Sequence, residues 1–207
     1  MIYLIILLSL GLRLIGINQS MWLDESISAN IAKLPIEKII PEFSVGDFHP
    51  PLFYLVLDLW VKAVGSGVIE MRILSVIFSL VTIWLVYKIG TLLKDKKTGL
   101  WAAALAGFNP LLIYYSQELR MYSMMTMFLM GAVYFWAKIT KNKETKKTWW
   151  IGFNLMIFLP FLTFYGSVFL SAALILSLIW QRKLKGFLGS VWGLILAIAA
   201  VSPLLLT

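Results

Sequence analysis

Apolar residues along this chain come in long unbroken blocks. Seven of them, at 2–18, 72–92, 99–115, 121–138, 148–163, 165–180 and 187–206, carry few or no charges. A block of about 17–25 apolar residues is long enough to cross a hydrocarbon core of roughly 30 Å as a helix. A lipid-exposed backbone must satisfy its own hydrogen bonds, so helices are the predicted elements. A transmembrane β-barrel would show short alternating segments, and these blocks do not alternate. The pattern predicts an all-α, polytopic transmembrane helical bundle of about seven spans. The first block lacks a basic leading region and a small-residue cleavage site, so it reads as a retained signal-anchor.

The stretch 50–65 sets the topology. It is apolar, but it runs only about 14 residues before Gly65, Ser66 and Gly67 interrupt it, and it carries Asp58 and Lys62 one turn apart. That suits a helix lying on the membrane better than one crossing it. Residues 19–71 are then one long first outer loop with interfacial helices. With the N-terminus inside, the inner loops hold Lys94, Lys96, Lys97, Lys138, Lys141, Lys143, Lys146, Lys147, Arg182, Lys183 and Lys185. The outer side holds Asp24, Glu25, Glu37, Glu42, Asp47, Asp58, Glu70 and Glu118. A crossing at 50–65 would flip the later lysine loops outward, against the positive-inside bias. The expected location is therefore a multi-pass cell-membrane protein with its polar chemistry outside the cytoplasm.

Composition agrees. Hydrophobic residues make up 60% of the 207 positions and charged residues 14%, against roughly 25% in a soluble domain; the mean hydropathy is +0.87. The net charge of +8 sits in short loops between apolar blocks, so no nucleic-acid partner is expected. The absence of cysteine excludes disulfides, thiolate metal sites and cysteine nucleophiles. The chain ends at Thr207 inside an apolar run and reads as the N-terminal part of something longer.

Three polar clusters fall on the outer side: Trp22-Leu23-Asp24-Glu25-Ser26, Asp47-Phe48-His49-Pro50-Pro51-Leu52-Phe53-Tyr54, and Tyr115-Ser116-Gln117-Glu118-Leu119-Arg120-Met121-Tyr122. Each has a plain reading beside a chemical one. Asp24 is a candidate N-cap for a short helix over 27–33. His49 is a candidate solvated loop residue, with the prolines starting the next helix. Glu118 and Arg120 are a candidate interfacial ion pair, with Tyr115 and Tyr122 in the aromatic belt. The central portions of the third to seventh blocks contain no ionisable residue. A charge-free midplane disfavours an ion-coupled transporter and favours interfacial chemistry or binding.

The order and spacing of Trp22-Leu23-Asp24-Glu25, His49-Pro50-Pro51-Leu52-Phe53-Tyr54, Arg72 and the 115–122 cluster resembles the N-terminal half of the GT-C glycosyltransferases. The branch it resembles is the protein O-mannosyltransferase and aminoarabinose-transferase superfamily. The resemblance implies inverting transfer of a sugar from a polyprenyl-phosphate-linked donor to an acceptor hydroxyl of a protein, lipid or glycan at the outer face. It implies Asp24 as general base, Glu25 beside it for the acceptor, and Arg120 on the leaving phosphate. His49, Arg72, Glu118 and Tyr122 are implied substrate contacts. A divalent metal held by Asp24, His49 and Glu118 stays open. Residues 1–207 would then form a GT-C transmembrane module, the N-terminal part of a longer enzyme. A non-catalytic membrane module that binds lipid phosphate or a partner subunit is the alternative.

Overall fold

The computed structural model describes residues 1–34, 38–39 and 49–183, with positions 188, 195–196 and 199 beyond them. Every regular element among the described residues is helical. In chain order these are α1 (Ile2–Leu14), α2 (Leu23–Ile31), α3 (Leu52–Val64), α4 (Val68–Leu93), α5 (Lys96–Gly107), α6 (Pro110–Ser116), α7 (Tyr122–Lys141), α8 (Lys147–Phe161) and α9 (Val168–Trp180). A 3₁₀ turn, Tyr165–Ser167, leads into α9. The seventh expected span, and Asp47 and Phe48 of the second polar cluster, lie outside the described residues.

α4 is the axis. Its 26 residues make it the one described helix long and apolar enough to cross a membrane by length and composition. α1, α3, α5 and α7 all pack on it, and α8 packs along α7. α1 and the helical stretch Tyr165–Trp180 are shorter apolar helices. α1 leaves Tyr3, Leu4, Leu7 and Leu8 exposed, and α9 leaves Phe169 and Leu176 exposed. Contiguous apolar faces of this kind are what lipid covers.

The third expected span, 99–115, is two helices rather than one. Pro110 has no N–H for a continuing helix, and Asn109 caps the new one by accepting the Leu112 N–H at 3.0 Å. The break leaves the Gly107 carbonyl without an intrahelical donor. Arg13 of α1 supplies one: its Nη1 donates to Gly107 O at 2.9 Å and to Ser9 O at 3.0 Å, and its Nε donates to Ser79 Oγ at 2.9 Å. A buried guanidinium thus closes a backbone gap between α1, α4 and α5. At the other end of α5, Gly90 and Gly99 let α4 and α5 touch backbone to backbone. A Cβ on Gly90 would stand 2.8 Å from Gly99 Cα.

Two packed cores separate the ends of the bundle. One, with Phe53, Tyr54, Leu57, Met71, Leu119 and Met124, joins α2 and α3 to the 117–121 turn and the adjoining ends of α4 and α7. The other, with Ile139, Phe153, Ile157 and Leu178, joins α7, α8 and α9. α3 also hydrogen-bonds to the end of α8, Leu52 N–H to Leu162 O at 3.1 Å. Asp58, buried on the packed face of α3, accepts Lys62 Nζ at 2.7 Å. α2 and α3 are therefore parts of a packed platform, and that platform carries the described residues of the polar clusters.

Candidate functional site

The platform is organised by Arg72 of α4 and Glu25 of α2, both buried. Arg72 Nε donates to Glu25 Oε1 at 2.9 Å and Nη2 to Oε2 at 2.7 Å. The remaining Arg72 donors reach the carbonyls of Ile17 (2.7 Å), Gln19 (2.7 Å) and Ser20 (3.3 Å). A guanidinium has five N–H donors, and here all are used. Glu25 is equally full: besides Arg72 it accepts the Leu119 N–H at 2.7 Å and the Trp22 N–H at 3.2 Å. Burial alone pushes this carboxyl up. The hydrogen bonds from Arg72, Leu119 and Trp22, with the Arg72 charge, outweigh that and hold it below the ordinary carboxylate range. This saturated pair fixes the start of α2, the 17–20 loop and the 117–121 turn relative to α4.

Gln117 adds a second tie. Its side-chain amide donates to the Arg13 carbonyl at 3.2 Å and the Ile15 carbonyl at 2.6 Å, at the end of α1 where backbone acceptors lack partners. The third polar cluster is thereby held against the first.

Between them lies a cleft of about 310 Å³, lined by Trp22, Asp24, Tyr114, Glu118, Arg120 and Tyr122 with their neighbours. Asp24 is not the N-cap. Trp22 holds that position, and the neighbouring Glu25 reaches back to the Trp22 N–H as a third-residue carboxylate does in a capping box. The Asp24 side chain is left 65% exposed. Arg120 faces it, only 7% exposed, with Nη2 3.9 Å from Asp24 Oδ2. That distance is too long for a direct hydrogen bond. Its Nη1 reaches the Asp24 carbonyl at 3.5 Å, and its Nε is buried without a partner. The ion pair expected between Glu118 and Arg120 is thus made with Asp24 instead.

Two adjacent carboxylates therefore meet two arginines in opposite ways. Glu25 and Arg72 are closed on each other. Asp24 and Arg120 stand 3.9 Å apart, and Arg120 Nε, the counterpart of the atom Arg72 gives to Glu25 Oε1, has no partner.

Glu118 and Tyr122 line the same cleft. Glu118 is half-buried. Tyr122 packs on Tyr115 at 4.8 Å between ring centroids and on Phe164 at 6.3 Å. His49 stands outside the cleft, stacked on Phe164 at 5.8 Å. Asp24, His49 and Glu118 do not gather as metal ligands: no group of three or more His, Cys, Asp or Glu side chains suited to a metal ion occurs among the described residues.

The sequence reading passed over Gln117, the Leu119 N–H and Phe164. Only Gln117 left a trace in the letters, as an amide in a short polar turn between apolar blocks.

A family model described as dolichyl-phosphate-mannose-protein mannosyltransferase matches residues 48–206. The match covers His49, Arg72, Glu118, Arg120 and Tyr122, and begins after Asp24 and Glu25. No curated protein and no solved structure matches the chain.

Proposed function

The chain belongs to the dolichyl-phosphate-mannose-protein mannosyltransferase family, and on that premise we propose that it transfers a sugar from a polyprenyl-phosphate donor to an acceptor hydroxyl, with inversion, in the cleft between Asp24 and Arg120. The family carries glycosyltransferase activity with a polyprenyl-phosphate-linked donor. The proposal adds the site, the roles of its residues and its place at the outer membrane face, in a bundle of about seven spans.

One observation carries the reading: an exposed carboxylate and a buried guanidinium whose Nε has no partner share one cleft. An acceptor hydroxyl is a poor nucleophile and needs a positioned base. Asp24 takes its proton as the hydroxyl oxygen bonds to the anomeric carbon. The bond from that carbon to the phosphate oxygen breaks on the opposite face, and the electron pair leaves with the phosphate. Charge grows on that phosphate in the transition state. A buried guanidinium stabilises it more than a solvated one would, because little water screens the interaction. Arg120 suits this task because a planar fork grips two phosphate oxygens at once. Tyr122 closes the cleft beside it.

Glu25 and Arg72 are assigned a positioning role. Their polar atoms are consumed by each other and by backbone, and their pairing sets where Asp24 and the 117–121 turn stand. Glu118 and Tyr114 line the same cleft, and His49 supports its aromatic wall through Phe164.

The test is Asp24→Asn. Turnover measured with a radiolabelled polyprenyl-phosphate sugar should fall by at least about 10², the usual contribution of a general base. The melting temperature should hold, since an exposed side chain contributes within about 0.5 kcal/mol. Near-wild-type turnover would remove Asp24 from the mechanism.

A further inference from the structure

Positive charge is scarce in the cleft. Among the described residues its one cation is Arg120, against the carboxylates of Asp24, Glu25 and Glu118. Glu25 is cancelled by Arg72, with Nη2 2.7 Å from Oε2. Asp24 draws on Arg120 itself, with Nη2 3.9 Å from Oδ2. Glu118 is half-buried and enters no ion pair among the described residues. One guanidinium, already shared, thus stands against two carboxylates. Sites that hold a doubly charged phosphate gather several cations, as the arginine clusters that grip phosphorylated peptides do.

Sugar transfer changes the charge of the phosphate. In the donor the phosphate is esterified to both lipid and sugar and carries one negative charge. When its bond to the anomeric carbon breaks, the electron pair stays on the phosphate oxygen. The product is a monoester with a charge of about −1.5 to −2 at pH 7. Total charge in the cleft is unchanged at that moment, because Asp24 has taken the acceptor's proton. Once Asp24 gives that proton to water, its carboxylate is charged again beside a phosphate that has gained a charge. Like charges repel more strongly in a partly dry cleft than in bulk water.

We infer that the cleft is selective for a singly charged phosphate diester over a doubly charged monoester, and that Asp24 and Glu118 are the specificity-determining carboxylates that drive the spent carrier out. The inference rests on the proposed transfer reaction, which supplies both phosphates. It gives Asp24 a second task after proton transfer, and gives Glu118 a task that needs only its charge.

The experiment titrates the detergent-solubilised full chain at neutral pH with two probes that lack sugar. One is a polyprenyl phosphate and the other its methyl diester, which differs by one methyl group and one charge. Wild-type protein should prefer the diester by at least about threefold, the effect of one extra charge near a carboxylate at the dielectric of a protein surface. Glu118→Gln and Asp24→Asn should each tighten the monoester more than the diester and so narrow that preference at least about twofold. In the turnover assay, added polyprenyl phosphate should inhibit Glu118→Gln more strongly than wild type.

A wild-type preference for the monoester would overturn the inference, and so would an unchanged ratio of the two affinities in both variants. A polyprenyl-phosphate hexose is the control: if wild-type protein neither binds nor turns over that donor, the transfer reading itself fails. That outcome is distinct from the others because it appears before any substitution is made.

Discussion

Neighbouring residues with the same side-chain charge can have separate fates when burial and partners differ. Glu25 is buried and accepts four hydrogen bonds, two of them from one guanidinium. The Asp24 carboxylate is exposed, and its cationic partner Arg120 Nη2 stands 3.9 Å away. Buried charge pairs gain little over an apolar replacement of both partners, yet removing one partner costs about 3–5 kcal/mol because the other charge is left stranded. Glu25→Gln should therefore destabilise the protein by about that amount at neutral pH and strand Arg72, as read by thermal melting in detergent. The sign of the pH effect follows from the carboxyl being held below its ordinary range. Its stabilisation is complete above the ordinary carboxylate value of about 4.3 and disappears as pH falls through the lower, folded-state value. The gap between wild type and Glu25→Gln should thus narrow only in acid below that range. A gap that closed between pH 5 and 7 would mean that the pair is not what holds the platform.

Among the elements, the divided helix α5–α6 best shows what a sequence displays and what it conceals. Hydropathy gave one block over 99–115, because Gly107, Phe108, Asn109 and Pro110 add no charge to break it. The Asn-Pro dipeptide was the available signal, as a cap followed by the residue best suited to a first helical position. Its partner Arg13, a cation within an apolar block, was the other. Element types and most boundaries elsewhere were readable: the 72–92 block became Val68–Leu93 and the 121–138 block became Tyr122–Lys141. The pairings were not. Whether Arg72 or Arg120 takes Glu25 depends on helix register across 47 and 95 residues, which no local pattern encodes. Asn109→Ala should remove the α6 cap at about 1 kcal/mol. Gly107→Val should cost more, because its Cβ would collide with Ser9 Oγ and stand 3.5 Å from Ile5 Cγ2, pushing α1 away from the carbonyl that Arg13 holds. Equal melting temperatures for these two variants would argue against the Arg13 closure.

For the whole molecule the question is which side each loop faces. The lysine-rich segment between α7 and α8 and the carboxylate-bearing segments segregate along the sequence, and the positive-inside bias predicts opposite faces for them. The chain has no cysteine, so single reporters can be introduced without background. Asn18→Cys should react with a membrane-impermeant maleimide in intact cells, and Lys143→Cys only after permeabilisation. Labelling of both from one side would overturn the topology and, with it, the outer-face site.

The break after Gly107 has a mechanical corollary. The segment α5 is clasped to α4 through Gly90 and Gly99, while α6 leads into Gln117 and so is moored to the end of α1. A bilayer that thickens or thins pulls these anchors by different amounts. In a bundle that crosses the bilayer as proposed, hinge rotation at Phe108 and Asn109 would take up that mismatch before it moved Tyr114 and Glu118. The proposed cleft would thereby be insulated from the thickness of the lipid around it.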